Sequence, residues 1–120
     1  MDARLREGIR LFNKGRFFES HESLEELYLR ADEEQKPFLE GLIQLAAACR
    51  LFREFGEVKG PVRMIHQALI RLENYQPAYL RIKVKDLIQT MEVWAKQIEA
   101  DTEAVQGRIP KIRLRRFIFF

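Results

Sequence analysis

A long run that is apolar on almost every side constrains the fold of this chain more than any other feature. From about Gln35 to Phe55, hydrophobic residues occupy positions all around a helix, so no continuous polar face remains. A helix of this kind must be covered by other elements. The sequence therefore predicts a central third helix. Gly41 and the run Ala46–Ala48 are small enough to let neighbouring helices approach it closely.

Four further segments show helical periodicity, with apolar residues repeating at intervals of three and four. These segments are residues 3–13, 16–31, 61–75 and 84–105. The polar connections between them are short, which makes neighbouring helices antiparallel. Gly15 is expected to end the first helix in a left-handed conformation. The predicted fold class is all-α, a compact bundle of about five helices forming one domain over residues 1–107.

Residues 108–120 differ from the rest of the chain in charge and in pattern. They carry five basic residues and no acid, although the net charge of the whole chain is only +3. Apolar and basic residues alternate in this segment, which predicts an extended tail rather than a helix. We expect the tail to pack on the body or on a second copy of the chain. Its candidate interaction residues are Lys111, Arg113, Arg115 and Arg116.

The composition indicates an ordinary globular protein, with 47% hydrophobic and 32% charged residues. The single cysteine, Cys49, excludes an internal disulfide, which is typical of a reducing compartment. The sequence begins without a signal segment and contains no apolar run of about 18 residues. These features predict a cytoplasmic protein with no membrane contact.

The second predicted helix carries polar residues on its apolar side. On a helical projection, His21 and Glu25 lie four residues apart inside an apolar arc that includes Phe17 and Leu24, with Phe18 and Leu29 on its far flank. Glu22 lies at the boundary of the arc. Leaving a polar group buried without a partner costs about 1–3 kcal/mol. We therefore expect a buried and mutually satisfied His21–Glu25 pair, with Glu22 at the mouth of the site.

Residues 12–25, FNKGRFFESHESLE, resemble the signature of a prokaryotic family known as domain of unknown function 309. The family pattern is Phe-Asn-x-Gly-x-aromatic-aromatic-Glu-x-His-Glu-x-Leu-Glu followed by an aromatic residue, which is Tyr28 here where Trp is more usual. The resemblance covers roughly residues 8–77. The chain departs from it at Glu40, where Gln is common, and at Cys49-Arg50, where aromatic and histidine residues often lie. The resemblance implies a small all-helical fold and supplies no activity.

Three interpretations of His21, Glu22 and Glu25 stay open at this point. In the first, the cluster fixes the helix register in a non-enzymatic interaction or structural module. In the second, His-Glu-x-x-Glu resembles the His-Glu-x-x-His zinc helix, and the protein is a metal-binding protein or a metal-dependent hydrolase. That site needs a third ligand, for which His66 and Asp101 are the candidates. The third is metal-free acid–base catalysis, for which no nucleophile is evident.

The first interpretation is our prediction, and the metal-dependent one is the alternative. Whether the protein is an enzyme is not decided by the sequence. No cofactor is predicted, and a divalent metal at His21 and Glu25 belongs to the alternative. The expected partner is another protein or a second copy in a homodimer. Nucleic acid is less favoured, because the five charges of the tail are few for phosphate binding.

Overall fold

The computed structural model describes residues 1–101 and 108–116, and this part of the chain contains five α-helices. They are α1 (Ala3–Asn13), α2 (Phe17–Arg30), α3 (Lys36–Phe55), α4 (Lys59–Leu72) and α5 (Val84–Ala100). A short 3-10 turn, Glu73–Tyr75, follows α4. The prediction of an all-α bundle is confirmed. No helix in the described residues is both long and apolar enough to cross a membrane.

The third helix is central, as its composition predicts. It packs against α2 and α4, while α1 pairs with α2 and α5 pairs with α4. From α5, Trp94 also reaches Phe52 of α3, with the two ring centroids 5.1 Å apart. The residues that α3 buries are Phe38, Leu39, Gly41, Leu42, Leu45, Ala46, Ala48, Cys49 and Phe52.

Two glycines set how closely the helices approach one another. A Cβ atom added at Gly41 would lie 2.8 Å from the side chain of Leu72, so α4 packs directly on the backbone of α3. A Cβ atom at Gly8 would lie 2.7 Å from Leu24, which places α2 equally close to α1. The close approach expected at Gly41 is confirmed, and Gly8 adds a second contact of the same kind.

The ends of the helices follow from local chemistry. The Asp2 carboxylate accepts hydrogen bonds from the backbone N–H groups of Arg4 at 2.7 Å and Leu5 at 3.4 Å, which caps α1. Gly15 has φ = +78° in the turn between α1 and α2, as predicted. Gly56 ends α3 with φ = +67°.

Three helix bounds differ from the prediction by two residues or more. The fourth helix begins at Lys59 rather than at Pro61, which lies within its first turn, and it ends at Leu72 rather than at Tyr75. The fifth helix ends at Ala100, because Asp101 is already extended. The last buried residue within this helix is Ile98. The rest of the predicted extension falls on 102–105, outside the described residues.

The segment between α4 and α5 makes a tight turn and pairs with the tail. The backbones of Tyr79 and Ile82 exchange two hydrogen bonds of 3.1 and 2.8 Å across Leu80 and Arg81. Those two central residues have φ values of 47° and 68°, as in a two-residue hairpin turn. Residues 81–83 then pair antiparallel with residues 113–115. We call this pairing the C-terminal ladder.

The described part of the tail lies extended on the body of its own chain. Ile112 is buried in the main core, with 2% of its surface exposed. Its backbone N–H donates to Asn13 Oδ1 at 2.7 Å, and its carbonyl accepts from Asn13 Nδ2 at 2.9 Å. Asn13 therefore joins the end of α1 to the tail. Residues 117–120 of the predicted tail lie outside the described residues.

Candidate functional site

The buried side of α2 is narrower than its sequence suggests. It consists of Phe17, Ser20, Leu24 and Leu27, at successive spacings of three, four and three. Phe17 packs edge-on against Phe12 of α1, with ring centroids 5.1 Å apart. His21 and Glu25 lie beside this stripe.

The prediction of a buried His21–Glu25 pair is wrong. The two side chains do meet, with His21 Nδ1 lying 3.4 Å from Glu25 Oε2, but they are 32% and 56% exposed. Glu22 is exposed as well. The predicted arc had Phe18 and Leu29 on its far flank, and both residues are exposed. Counting those residues as core moved the apparent centre of the buried face toward His21.

The buried polar residue of α2 is Ser20, which the sequence analysis missed. Its side chain is fully buried. Its hydroxyl donates a hydrogen bond to the backbone carbonyl of Gly8 at 2.7 Å. A signal was present in the sequence, because Ser20 continues the spacing of Phe17 and Leu24 and is small enough for a close helix contact.

His21 and Glu25 belong to a longer stripe that follows the groove between α2 and α3. Phe18, His21, Glu25 and Tyr28 fall on one side of α2 by helical spacing. Each end of the stripe contacts α3, through Phe18 with Arg50 and through Tyr28 with Glu40. The His21–Glu25 pair lies between these two contacts. We call the surface formed by this stripe, Glu40, Arg50 and Phe55 the α2–α3 face.

One end of the α2–α3 face is an aromatic cluster around Arg50. The guanidinium carbon lies 4.5 Å from the ring centroid of Phe18 and 5.7 Å from that of Phe55. The two rings are 44% and 61% exposed. Arg50 Nε also donates to Glu54 at 3.1 Å. An arginine is thus held in contact with two large apolar side chains that face solvent.

The other end is a hydrogen-bonded network that links three helices. The Tyr28 hydroxyl donates to Glu40 Oε1 at 2.9 Å, and Arg71 Nε donates to Glu40 Oε2 at 3.3 Å. Arg71 also donates to Gln44 at 2.8 Å. The bond to the Glu40 carboxylate, and next to it partial burial, raise the pKa of Tyr28. The network fixes α2 and α4 relative to α3.

Among the described residues, the metal-dependent alternative has no third ligand. Within residues 1–101 and 108–116, no three His, Cys, Asp or Glu side chains are grouped so that they would hold a metal ion. The proposed third ligands do not complete the set. His66 lines a separate cleft of about 450 Å³ shared by α4 and α5. Asp101 follows the end of α5.

The single cysteine is placed for packing rather than for catalysis. Cys49 is fully buried in α3. Burial raises the pKa of its thiol far above the ordinary range, so the thiol stays protonated. A protonated and buried thiol does not act as a nucleophile.

Two of the four candidate residues of the tail, Arg113 and Arg115, lie in the C-terminal ladder, and the other two flank it. Lys111, Arg113, Arg115 and Arg116 are all exposed. Arg113 Nη1 lies 3.9 Å from Asp86 Oδ1, near the start of α5. The structure thus separates the sequence-predicted residues into two surfaces, one on α2 and one beside α5.

Comparison with known proteins identifies the family to which the region containing α1 to α4 belongs. A family model described as a domain of unknown function (DUF309) matches residues 5–72, which is more than half of the chain. A search of curated proteins finds no match. The matched region contains the α2–α3 face and ends before the C-terminal ladder. The chain belongs to the DUF309 family, whose function is unknown.

Proposed function

We propose that this protein is a non-enzymatic interaction module and that the α2–α3 face is its partner-binding surface. The observation that carries the proposal is the exposure of Phe18 and Phe55 on either side of Arg50. Aromatic residues and arginine are enriched among the residues that dominate binding energy in protein interfaces. Such side chains are also held in place here, so little rotamer freedom is lost on binding.

The charge around this cluster specifies the partner. Glu22 and Glu25 are exposed along α2, and Glu54 is exposed beside Arg50. A partner segment that combines apolar side chains with lysine or arginine complements this surface. A basic amphipathic helix is the occupant that fits, since apolar anchors meet the aromatic rings while its charges meet the acids. No step of this proposal requires a metal or a reactive side chain.

Affinity capture with the full-length chain tests the proposal. Phe18→Ala with Phe55→Ala removes both exposed rings, and Ile70→Ala with Val93→Ala is the matched control at two other exposed apolar residues. We expect wild type and control to retain a partner that the first variant loses. The contact region of that partner should be basic and amphipathic. Identical capture by all three proteins would disprove the assignment of the surface.

Two further measurements separate this proposal from its competitors. Light scattering over a range of concentrations detects self-association, and a dimer lost only in the Phe18→Ala, Phe55→Ala variant would replace the proposed partner with a second copy. Elemental analysis of wild type and His21→Ala, both purified without a chelator or an affinity tag that binds metal, addresses the alternative. Near-stoichiometric metal that is absent from the variant would contradict the non-enzymatic proposal.

A further inference from the structure

The tail uses the two edges of its backbone in different ways. On one edge, the Arg113 carbonyl accepts a hydrogen bond from Lys83 N–H at 2.9 Å. On the same edge, Arg115 N–H donates to the Arg81 carbonyl at 2.7 Å. In an extended segment the backbone groups of successive residues point to opposite edges. The tail residues that alternate with Arg113 and Arg115 therefore present their backbone groups to the other edge, which we call the far edge of the tail.

Asn13 occupies the first position of the far edge. Ile112 N–H donates to Asn13 Oδ1 at 2.7 Å, and the Ile112 carbonyl accepts from Asn13 Nδ2 at 2.9 Å. A residue directly opposite in an antiparallel strand would exchange the same two kinds of bond with Ile112. The side-chain amide of Asn13 thus takes the place of one residue of a neighbouring strand.

The next two positions of the far edge have no such partner. The N–H and carbonyl groups of Leu114 and Arg116 make no hydrogen bond to other described residues. Leu114 packs against the core and is only partly exposed, which holds the backbone extended at this position. An extended segment with unpaired backbone groups is a template for pairing with another strand. A bound strand would continue the bonding that Asn13 begins at Ile112.

The charges beside the far edge favour an acidic strand. The side chains of Arg115 and Arg116 are exposed and form no ion pair with other described residues. Lys83, which is exposed across the ladder, adds further positive charge. Asp86 Oδ1 lies 3.9 Å from Arg113 Nη1, and Asp86 Oδ2 is buried with no hydrogen-bond partner in the described part of the chain. This carboxylate partly neutralises Arg113 and would repel a second acid there, so acids are favoured opposite Arg115 and Arg116 only.

A second copy of the same tail does not fit this edge. Antiparallel pairing of two far edges about Leu114 would place Arg113 of one copy opposite Arg115 of the other. Like charges directly opposite each other destabilise a pair of strands. The occupant that fits is therefore a segment of different sequence and opposite charge.

We propose that the far edge of the tail binds an extended acidic segment of another protein as an added antiparallel strand. In strand addition, backbone hydrogen bonds give affinity and alternate side chains give specificity. The added strand carries acids opposite Arg116 and Arg115 and an apolar residue opposite Leu114. From its N-terminus, its sequence is therefore two acids, an apolar residue and a neutral polar residue. Asn13 ends the pairing there, and the site is independent of the α2–α3 face.

Fluorescence anisotropy with a labelled peptide that contains Glu-Glu-Val-Thr tests the proposal on the full chain. In the proposed pairing the valine N–H and carbonyl bond to Leu114, whereas the N–H of the second glutamate points away from the tail. N-methylation of the valine should therefore weaken binding at least about fivefold, and N-methylation of that glutamate should weaken it less than about twofold. The two modified peptides have the same charge and composition, so their difference reports pairing at the edge.

Matched variants at Leu114 test the same bond from the protein side. Leu114→Pro removes the N–H at the far edge, while the bonds of Arg113 and Arg115 belong to the other edge. Leu114→Ala removes most of the side chain and keeps the N–H. We expect the proline variant to lose at least about tenfold in affinity and the alanine variant less than about threefold. The amide resonance of Ile112 in the NMR spectrum of each variant shows whether the tail remains in place.

A pair of charge reversals tests the specificity. Arg115→Glu and Arg113→Glu change the net charge by the same amount. Because Asp86 already partly neutralises Arg113, Arg115→Glu should weaken binding at least about fivefold and Arg113→Glu less than about twofold. Equal losses in the two variants would reflect net charge alone and would contradict the proposed register.

Several other results would overturn the proposal. Absence of wild-type binding to the peptide at low salt would do so, as would equal affinities for the two N-methylated peptides. Tighter binding of duplex DNA of random sequence than of the peptide would assign the basic surface to nucleic acid. A dimer that is lost only in the Leu114→Pro variant would assign the edge to a second copy. If that variant displaces the tail, the two peptides decide the question, because they are measured on wild-type protein.

Discussion

The α2–α3 face and the C-terminal ladder differ in how far apart their residues lie in the sequence. The first is built on two consecutive helices joined by one short loop. The second joins Arg81 to Arg115, and its tail contacts Asn13, a residue separated by 99 positions from Ile112. The comparison teaches that a contact within one helix, such as that between His21 and Glu25, can be predicted from spacing alone. A surface made by distant segments is seen only after the chain has folded.

The substitution with the largest expected loss of stability tests whether the tail is part of the core. Ile112→Ala removes a buried side chain and should lower the free energy of unfolding by about 2–4 kcal/mol. Val93→Ala, at a residue with 55% exposure, should change it by less than about 0.5 kcal/mol. Urea unfolding followed by Trp94 fluorescence measures both. Equal stability of the two variants would mean that the tail contributes nothing to the core.

The next effect concerns the link between α1 and the tail. Asn13→Ala leaves the N–H and carbonyl groups of Ile112 without their partner and should cost about 1–3 kcal/mol. Lys14→Ala, at the exposed neighbouring position, is the control and should be close to neutral. If both variants unfold at the same urea concentration as wild type, water replaces the Asn13 hydrogen bonds at no cost in stability. Asn13 would then not help to hold the tail on the body.

The third test examines the α3 core behind the α2–α3 face at alkaline pH. Burial in the fold raises the pKa of the Cys49 thiol. In the unfolded chain the same thiol ionises near its ordinary pKa of about 8.5. Above that pH the unfolded state therefore binds fewer protons than the folded state. The free energy of unfolding should then fall by about 1.4 kcal/mol per pH unit. Urea unfolding between about pH 8 and about pH 10 measures the slope. The Cys49→Ala variant should lose most of this pH dependence. An unchanged slope in that variant would assign the pH dependence to other ionisable groups.

The smallest effect is expected at the residues that attracted attention first in the sequence. His21→Ala removes the contact with Glu25 between two partly exposed side chains, which contributes about 0–1 kcal/mol. The same measurement at Glu25→Ala should give a similar value. A loss of several kcal/mol in the free energy of unfolding at either residue would show that the pair stabilises the fold more than its exposure indicates. The α2–α3 face would then contribute to stability as buried residues do.

The helices could be predicted from the sequence because each one shows its own periodicity. The central position of α3 followed from its lack of a polar face, and the turn at Gly15 followed from its composition. The His21–Glu25 contact followed from a spacing of four. Its burial did not, since apolar residues such as Phe18 and Leu29 are exposed here and a helical projection counts them as core.

The surface beside α5 could not be predicted in the same way. The tail was recognised as basic and extended, but residues 81–83 fell in the connection before the predicted fifth helix. Their charges became relevant through hydrogen bonds made across the ladder, and no local pattern specifies which distant segment will pair. Ser20 is different, because its spacing indicated burial and only its partner, Gly8 on another helix, was not predictable.

The contact between Asn13 and Ile112 sets an order of events during synthesis. Helices α1 to α4 contact their neighbours along the chain, and such local contacts form quickly. At the usual rate of about 5–20 residues per second, Ile112 is made about 5–20 s after Asn13. The helical hairpin of α1 and α2 can therefore be complete while the Asn13 side chain is still hydrated. Closure of the ladder is the last step, and an error in the tail leaves a folded body without its basic surface.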